Sequence, residues 1–296
     1  MSAAGETKGS IHLIIDFHTH TFPSRVAGRV IEKLSAEGHI RHFTDASAEA
    51  LTDSMREAGI DYSVDLPVAT RPEQVEHIND GALRKCDETA QTGIIPFGAM
   101  HPEYENVRAE LRRLREHGIR GVKLHPAFQG RDVNDLLYQR VMGAISEEGM
   151  ICLLHCGCDV SYVQHNFASV PQLLELLRCV QPQKLVLAHM GAWQCWDAVE
   201  QDLAGAPVWF DTAYCFGEVR LRPGEEDLLP FKQNLSAARF AALARKHGTD
   251  RVLFGTDSPW APQKDYADFL RAAPLTEAEK AAIFGENAAA LLGLSR

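Results

Sequence analysis

Eight short runs rich in β-branched and apolar residues recur along the chain, each separated from the next by a stretch with helical spacing. They cover 11–16, 60–66, 94–100, 119–124, 150–155, 184–189, 207–212 and 251–256. Such alternation predicts βα units and a parallel sheet, and eight units are the number that closes a (β/α)8 barrel. The intervening helices carry their own marks. Val107, Leu111 and Leu114 form an apolar stripe before Gly118, Leu137, Val141 and Ile145 form one before Gly149, and Phe240, Leu243 and His247 precede Gly248. A stripe ending at a glycine is a helix that packs on the sheet and stops there.

A single barrel commonly runs to about 250 residues, so the 296 residues are expected to form one barrel domain over 11–296 behind a flexible N-terminus at 1–10. Two connections are long, 21–44 after the first run and 213–234 after the seventh, and loops of that length are often lids. Lys and Arg number 30 against 40 for Asp and Glu, a net charge of −10 that lacks the positive field nucleic-acid binding needs. No apolar run approaches the roughly 18 residues of a membrane span. Seven cysteines, an odd number, with Cys152, Cys156 and Cys158 crowded together, do not make a disulfide framework. A cytoplasmic protein with reduced thiols, acting on a small molecule and binding neither nucleic acid nor membrane, is the expectation.

The chemistry concentrates at the ends of the runs. In Asp16-Phe17-His18-Thr19-His20, strand periodicity of two places residues 16, 18 and 20 on one face, bringing two imidazoles and a carboxylate together. A His-x-His pair suits zinc and related divalent ions. His155, His189 and Asp257 each end or follow an apolar run, on the face where a barrel collects its active site. Lys123 and His125 share a face on the fourth run. Lys123 is read as an anion-binding group, a carbamylated bridge, or an ion-pair partner of Asp16 or Asp257. His125 is read as a substrate donor or as support behind the ligands. His101 and Trp260 are candidates for the pocket wall, as are Trp193 and Trp196, and Cys156-x-Cys158 is a weak candidate for a soft ligand. Arg131, Arg220 and Arg222 are candidate carboxylate clamps. No GxSxG, P-loop or GxGxxG motif occurs.

These motifs, with Gly121 to Pro126, His155-Cys156-Gly157, Leu187 to Gly191, Phe254 to Trp260 and the closing Gly285 to Leu292, resemble the amidohydrolase superfamily in both content and order. The resemblance is in particular to its metal-dependent branch that includes the aminocarboxymuconate-semialdehyde and resorcylate decarboxylases. The resemblance implies a (β/α)8 barrel and a divalent ion, zinc before manganese or iron(II), with one ion favoured over two. It matches His18, His20, His155 and Asp257 to ligand positions, and makes His189 a ligand or a catalytic group. A homodimer is in keeping with it.

The leading expectation is hydrolysis of an amide, ester or lactone by water whose pKa the ion lowers toward about 7. In it Asp257 takes the proton and His189 donates to the oxyanion, a contact worth roughly 3 to 4 kcal/mol. The alternative is nonoxidative decarboxylation of a small hydroxy or amino carboxylic acid at the same site. A noncatalytic sensor would be expected to have lost at least one of these positions, and all are present.

Overall fold

The structure, a computed structural model, describes residues 13–294. The expected flexible segment 1–10 and the first two residues of the first run lie outside the described residues. Nine strands follow in order: β1 (Ile15–Thr19), β2 (Tyr62–Asp65), β3 (Ile94–Pro96), β4 (Gly98–Ala99), β5 (Gly121–Leu124), β6 (Ile151–Leu154), β7 (Leu185–Leu187), β8 (Trp209–Asp211) and β9 (Val252–Leu253). Seven of the eight expected runs contain a strand, and the first overlaps β1 at Ile15 and Asp16. The third contains two, because β3 and β4 are halves of one stave interrupted at Phe97, whose N–H donates to the Asp65 carbonyl at 3.0 Å.

Every ladder is parallel, β1 to β3 in one sheet and β4 to β9 in another. The stave shared by β3 and β4 joins the two sheets. The other seam closes through Phe17 N–H to the Phe254 carbonyl at 2.7 Å, Asp257 N–H to His18 at 2.8 Å and His20 N–H to Ser258 at 2.7 Å. Eight parallel staves thus make a closed (β/α)8 barrel. Parallel staves covered on both faces must be apolar on both. Ile151, Leu153, Val186 and Leu253 pack in one cluster with Ala288 and Leu292 of the helix Asn287–Leu292, while Cys152, Leu154, Leu185 and Leu187 join the larger cluster that includes the surrounding helices. The anticipated stripes are there too: Val107, Leu111 and Leu114 are buried on the helix Val107–Glu116.

The first strand departs from expectation. It runs later, and the three steps from Asp16 to Thr19 pair with only two from Ser63 to Asp65. One extra residue is a β-bulge, which breaks the alternation of faces. Residues 16 and 18 therefore do not share a face. Asp16 accepts from Gln263 Nε2 at 2.7 Å, at the start of the flanking helix Gln263–Ala272, whereas His18 turns to Asp211.

The two long connections meet each other. The first contains the helix Ala27–Gly38, and beyond it Ile40 bridges Leu221 while Arg41 N–H donates to the Arg220 carbonyl at 2.8 Å and Arg222 N–H to that of His39 at 3.0 Å. They form one joined rim beside the C-terminal ends of the staves. Among the described residues, no helix is long and apolar enough to cross a membrane.

Candidate metal centre

Strand ends supply the polar groups, and main-chain carbonyls and one carboxylate set the tautomers. His20 Nδ1 lies 2.8 Å from the Leu66 carbonyl, and His189 Nδ1 lies 2.8 Å from that of Ala213. A carbonyl only accepts, so each Nδ1 carries a proton, and in the singly protonated ring Nε2 is the lone pair. His18 Nδ1 meets Asp211 Oδ2 at 2.8 Å, which fixes the same tautomer by a carboxylate. Three Nε2 atoms are thereby turned toward one neighbourhood, that of His18 3.1 Å from Lys123 Nζ and that of His189 3.0 Å from His155 Nδ1. His18 Nε2 stands 3.5 Å and His20 Nε2 3.0 Å from Asp257 Oδ1, and His18, His189 and Asp257 hold ligand atoms within 4.8 Å of one another.

The charges fit a cation. Burial, with the Lys123 ammonium beside it, keeps His18 well below the usual imidazole range, so the ring is neutral. Burial penalises a charge on Asp257, whereas positive charge on the facing His18 and His20 rings holds its carboxyl below the usual carboxylate range, a charge that a bound cation would supply in their place. With the His20 proton on Nδ1, an Nε2 lone pair and a carboxylate oxygen 3.0 Å apart repel unless something positive lies between. Nitrogen and carboxylate donors in this number are the ligand chemistry of zinc, manganese or iron(II). The residues present fit a divalent ion.

A second group lies alongside. His155 donates from Nδ1 to His189 Nε2 at 3.0 Å, stacks on His125 with centroids 4.0 Å apart, and leaves its own Nε2 buried without a hydrogen-bond partner. That nitrogen and His125 Nε2 face Asp159 Oδ2 at 3.5 and 3.7 Å. The resemblance places His155 among the ligands. Here its ring is engaged with His189 on one side and faces Asp159 on the other, so it is not gathered with His18, His20 and Asp257.

Lys123 is fully buried, its Nζ 3.1 Å from His18 Nε2, and burial lowers it to about 8. Asp16 does not line the centre; it accepts from Thr256 and Gln263 and ties β1 to the last stave. His101 is likewise a local group, accepting the Glu103 N–H at 3.1 Å. Trp260 packs half-buried against the apolar core. Of the clamp candidates, Arg220 pairs with Asp265 at 3.5 Å, Arg222 with Glu32 at 2.8 Å, and Arg131 with Glu103, so each has a carboxylate of its own. Cys156 Sγ donates to the Leu154 carbonyl at 3.3 Å and joins no ligand group.

Sequence reasoning passed over Asp211 and Asp159 and gave Trp196 a lesser part. Asp211 stands one residue before the end of the seventh run, close to the place His155 takes in the fifth, so the same signal could have found it. Trp196, read only as a wall, donates from Nε1 to the His189 carbonyl at 3.0 Å. Asp159 lies beyond its strand, where no periodicity points to it. His189 and Asp257 sit at φ 62° and 69°, a left-handed backbone that L-residues adopt at a cost and that clusters at functional sites.

A family model described as amidohydrolase matches residues 15–294. The chain belongs to the amidohydrolase family. Its metal-dependent character agrees with the donors assembled here. No curated protein matches this amidohydrolase. Among solved structures it is similar to 5-carboxyvanillate decarboxylase from Sphingomonas paucimobilis, at 16% identity and a TM-score of 0.60, covering 96% of this chain and 99% of that one. A dihydroxybenzoic acid decarboxylase from a Polaromonas species, with bound manganese and the inhibitor 2-nitroresorcinol, is 16% identical at TM-score 0.66, covering 96% and 98%. A putative 2-pyrone-4,6-dicarboxylic acid hydrolase from Pseudomonas putida is 20% identical at TM-score 0.63, covering 96% and 99%. Identities this low speak for the shared barrel.

Proposed function

We propose that this amidohydrolase is a metal-dependent enzyme that removes carbon dioxide, without oxidation, from a small hydroxy-substituted aromatic or unsaturated carboxylic acid. The observation that carries the metal dependence is the 3.0 Å approach of His20 Nε2 to Asp257 Oδ1 while the His20 proton is committed to Leu66. Support for the bond broken comes from the decarboxylases among the structural neighbours, which outweigh the hydrolase and reorder the two expectations drawn from sequence. His18, His20 and Asp257 would hold the ion, zinc or manganese. When bound, it supplies a positive charge that anchors substrate oxygens and draws electron density from the breaking bond.

Loss of carbon dioxide from a carboxylate requires one proton at the carbon left behind. His155 Nδ1 donates to His189 Nε2 at 3.0 Å, so when His155 takes up a proton at its free Nε2 it can pass the Nδ1 proton to His189 Nε2 and take it back. This pair is where the chain can hold the replacing proton. Trp196 fixes the His189 main chain through its carbonyl, and Ala213 fixes the ring.

Hydrolysis is the second reading, and one observation favours it. Asp257 stands beside His18 and His20 as an unprotonated carboxylate that can receive a proton from water, though its lowered pKa makes it a weak base. The deciding experiment loads chelator-stripped protein with manganese or zinc and offers hydroxybenzoates beside esters, lactones and amides. Carbon dioxide release that disappears on chelation and returns with the ion is the expected result. Ester or lactone cleavage without carbon dioxide would transfer the assignment to hydrolysis, and turnover indifferent to chelator would remove the metal from both readings.

A further inference from the structure

The loops leaving β6 and β7 are stitched together by main chain. Trp193 N–H donates to the Cys156 carbonyl at 2.9 Å, and Cys158 N–H donates to that of Trp193 at 3.0 Å. Gly157 lies at the crossing with φ 88°, and a Cβ there would be 2.2 Å from Trp193 N, so no other residue fits without shifting the loops. This crossing brings the side chains of Cys158 and Cys195 together. Their Sγ atoms are 3.9 Å apart, and Asn166 Nδ2 donates to Cys195 Sγ at 3.4 Å. Both thiols are partly exposed, whereas Cys152, Cys156 and Cys215 are buried and Cys179 stands alone on the surface.

We propose that Cys158 and Cys195 are a hydroperoxide-sensitive dithiol that closes to an intramolecular disulfide at the mouth of the barrel. A disulfide needs the sulfurs at about 2.0 Å, so they must approach by roughly 2 Å, within the reach of side-chain rotation on two loops already joined. The Cys158 thiol donating to Cys195 lowers the latter to about 7, which leaves a share of nucleophilic thiolate at neutral pH. The Cys195 thiolate attacks the terminal oxygen of the hydroperoxide, the O–O bond breaks, and a sulfenic acid forms while the alcohol, or water, departs with a proton. The Cys158 thiol then attacks that sulfur, the S–O bond breaks and water leaves. With hydrogen peroxide, two thiols and one peroxide become one disulfide and two waters. Cys158 precedes Asp159, whose carboxylate faces His125 and His155, so the bond ties that loop to the segment following His189.

The test treats full-length, fully reduced protein with hydrogen peroxide, then alkylates it and maps the peptides without reduction. The expected result is a linked Cys158–Cys195 peptide, a loss of two alkylatable thiols and two hydrogens of mass, and recovery of both with dithiothreitol. In Cys158→Ser, Cys195 should instead accumulate as a sulfenic acid that dimedone captures. Both thiols remaining alkylatable at a peroxide dose that oxidises the exposed Cys179 would overturn the proposal, as would Cys195 reaching sulfinic acid with no linked peptide. The measurement on the natural sequence stands whether or not the variant folds.

Discussion

The Nδ1 proton of His18 is committed to Asp211 Oδ2, and the other oxygen of that carboxylate accepts the His189 and Ala213 amides at 2.9 and 3.0 Å. One buried carboxylate therefore orients two imidazole-bearing segments at once. Asp211→Asn keeps the volume but has a single acceptor oxygen. If that oxygen stays with the two amides, the new NH2 faces His18 Nδ1 and forces the proton to Nε2, where it blocks the lone pair. Removing such a support typically lowers metal affinity about 10- to 100-fold. Competition for the ion against a chromogenic chelator should show that fall, and unchanged affinity would mean that Asp211 does not govern the His18 tautomer. The sequence shows the donors His18, His20, His189 and Asp257 plainly. It does not show which ring nitrogen each presents, because Leu66, Ala213 and Asp211 come from other staves. Asp16 misleads for a related reason: the period of two holds only in an unbroken strand, and the bulge after it depends on pairing with β2.

In the helix Ala237–His247, Ser236 caps the first turn by accepting the Arg239 N–H at 3.3 Å, and Phe240, Leu243 and His247 are buried on one side. The stripe was legible from spacing, but its last member does more than pack. His247 stacks on Phe210 at 3.7 Å, approaches the Val208 carbonyl with Nε2 at 3.0 Å, and accepts the Gly205 N–H at Nδ1 at 3.2 Å. Burial, with Arg251 nearby, lowers it from 6.5 to about 4. The unfolded chain then takes up the proton more readily than the folded one. Stability from this residue is complete above about pH 6.5 and is lost as the pH falls toward 4, by about 3 kcal/mol in all. Urea unfolding of the natural sequence and of His247→Gln at pH 7 and pH 4.5 measures it. The variant should lose about 2 kcal/mol less between the two pH values, and equal losses would place the acid sensitivity elsewhere.

The closed barrel rests on two apolar layers, and its N-terminal end is filled by the chain's last helix. Ala288 and Leu292 pack with Ile15, Ile151 and Leu253, Asn287 Nδ2 donates to the Thr249 and Val252 carbonyls at 2.8 Å, and Arg120 donates to that of Leu292. Leu292→Ala would open a cavity beneath the staves and cost about 2–5 kcal/mol. Urea denaturation should show that loss, and a cost below about 1 kcal/mol would make the helix an accessory rather than a plug. Eight strands, the helices between them, the barrel and the polar residues at the strand ends follow from the sequence alone, because periodicity and run length are local properties that each segment carries with it. Tertiary structure decided the rest. The bulge that parts Asp16 from His18, the separation of His155 from the His18, His20 and Asp257 group, the arginines taken up by Glu32, Glu103 and Asp265, and the meeting of Cys158 with Cys195 all depend on which distant segments become neighbours. Hydrogen bonds and ion pairs act over a few ångströms in space, and chain order does not record those distances.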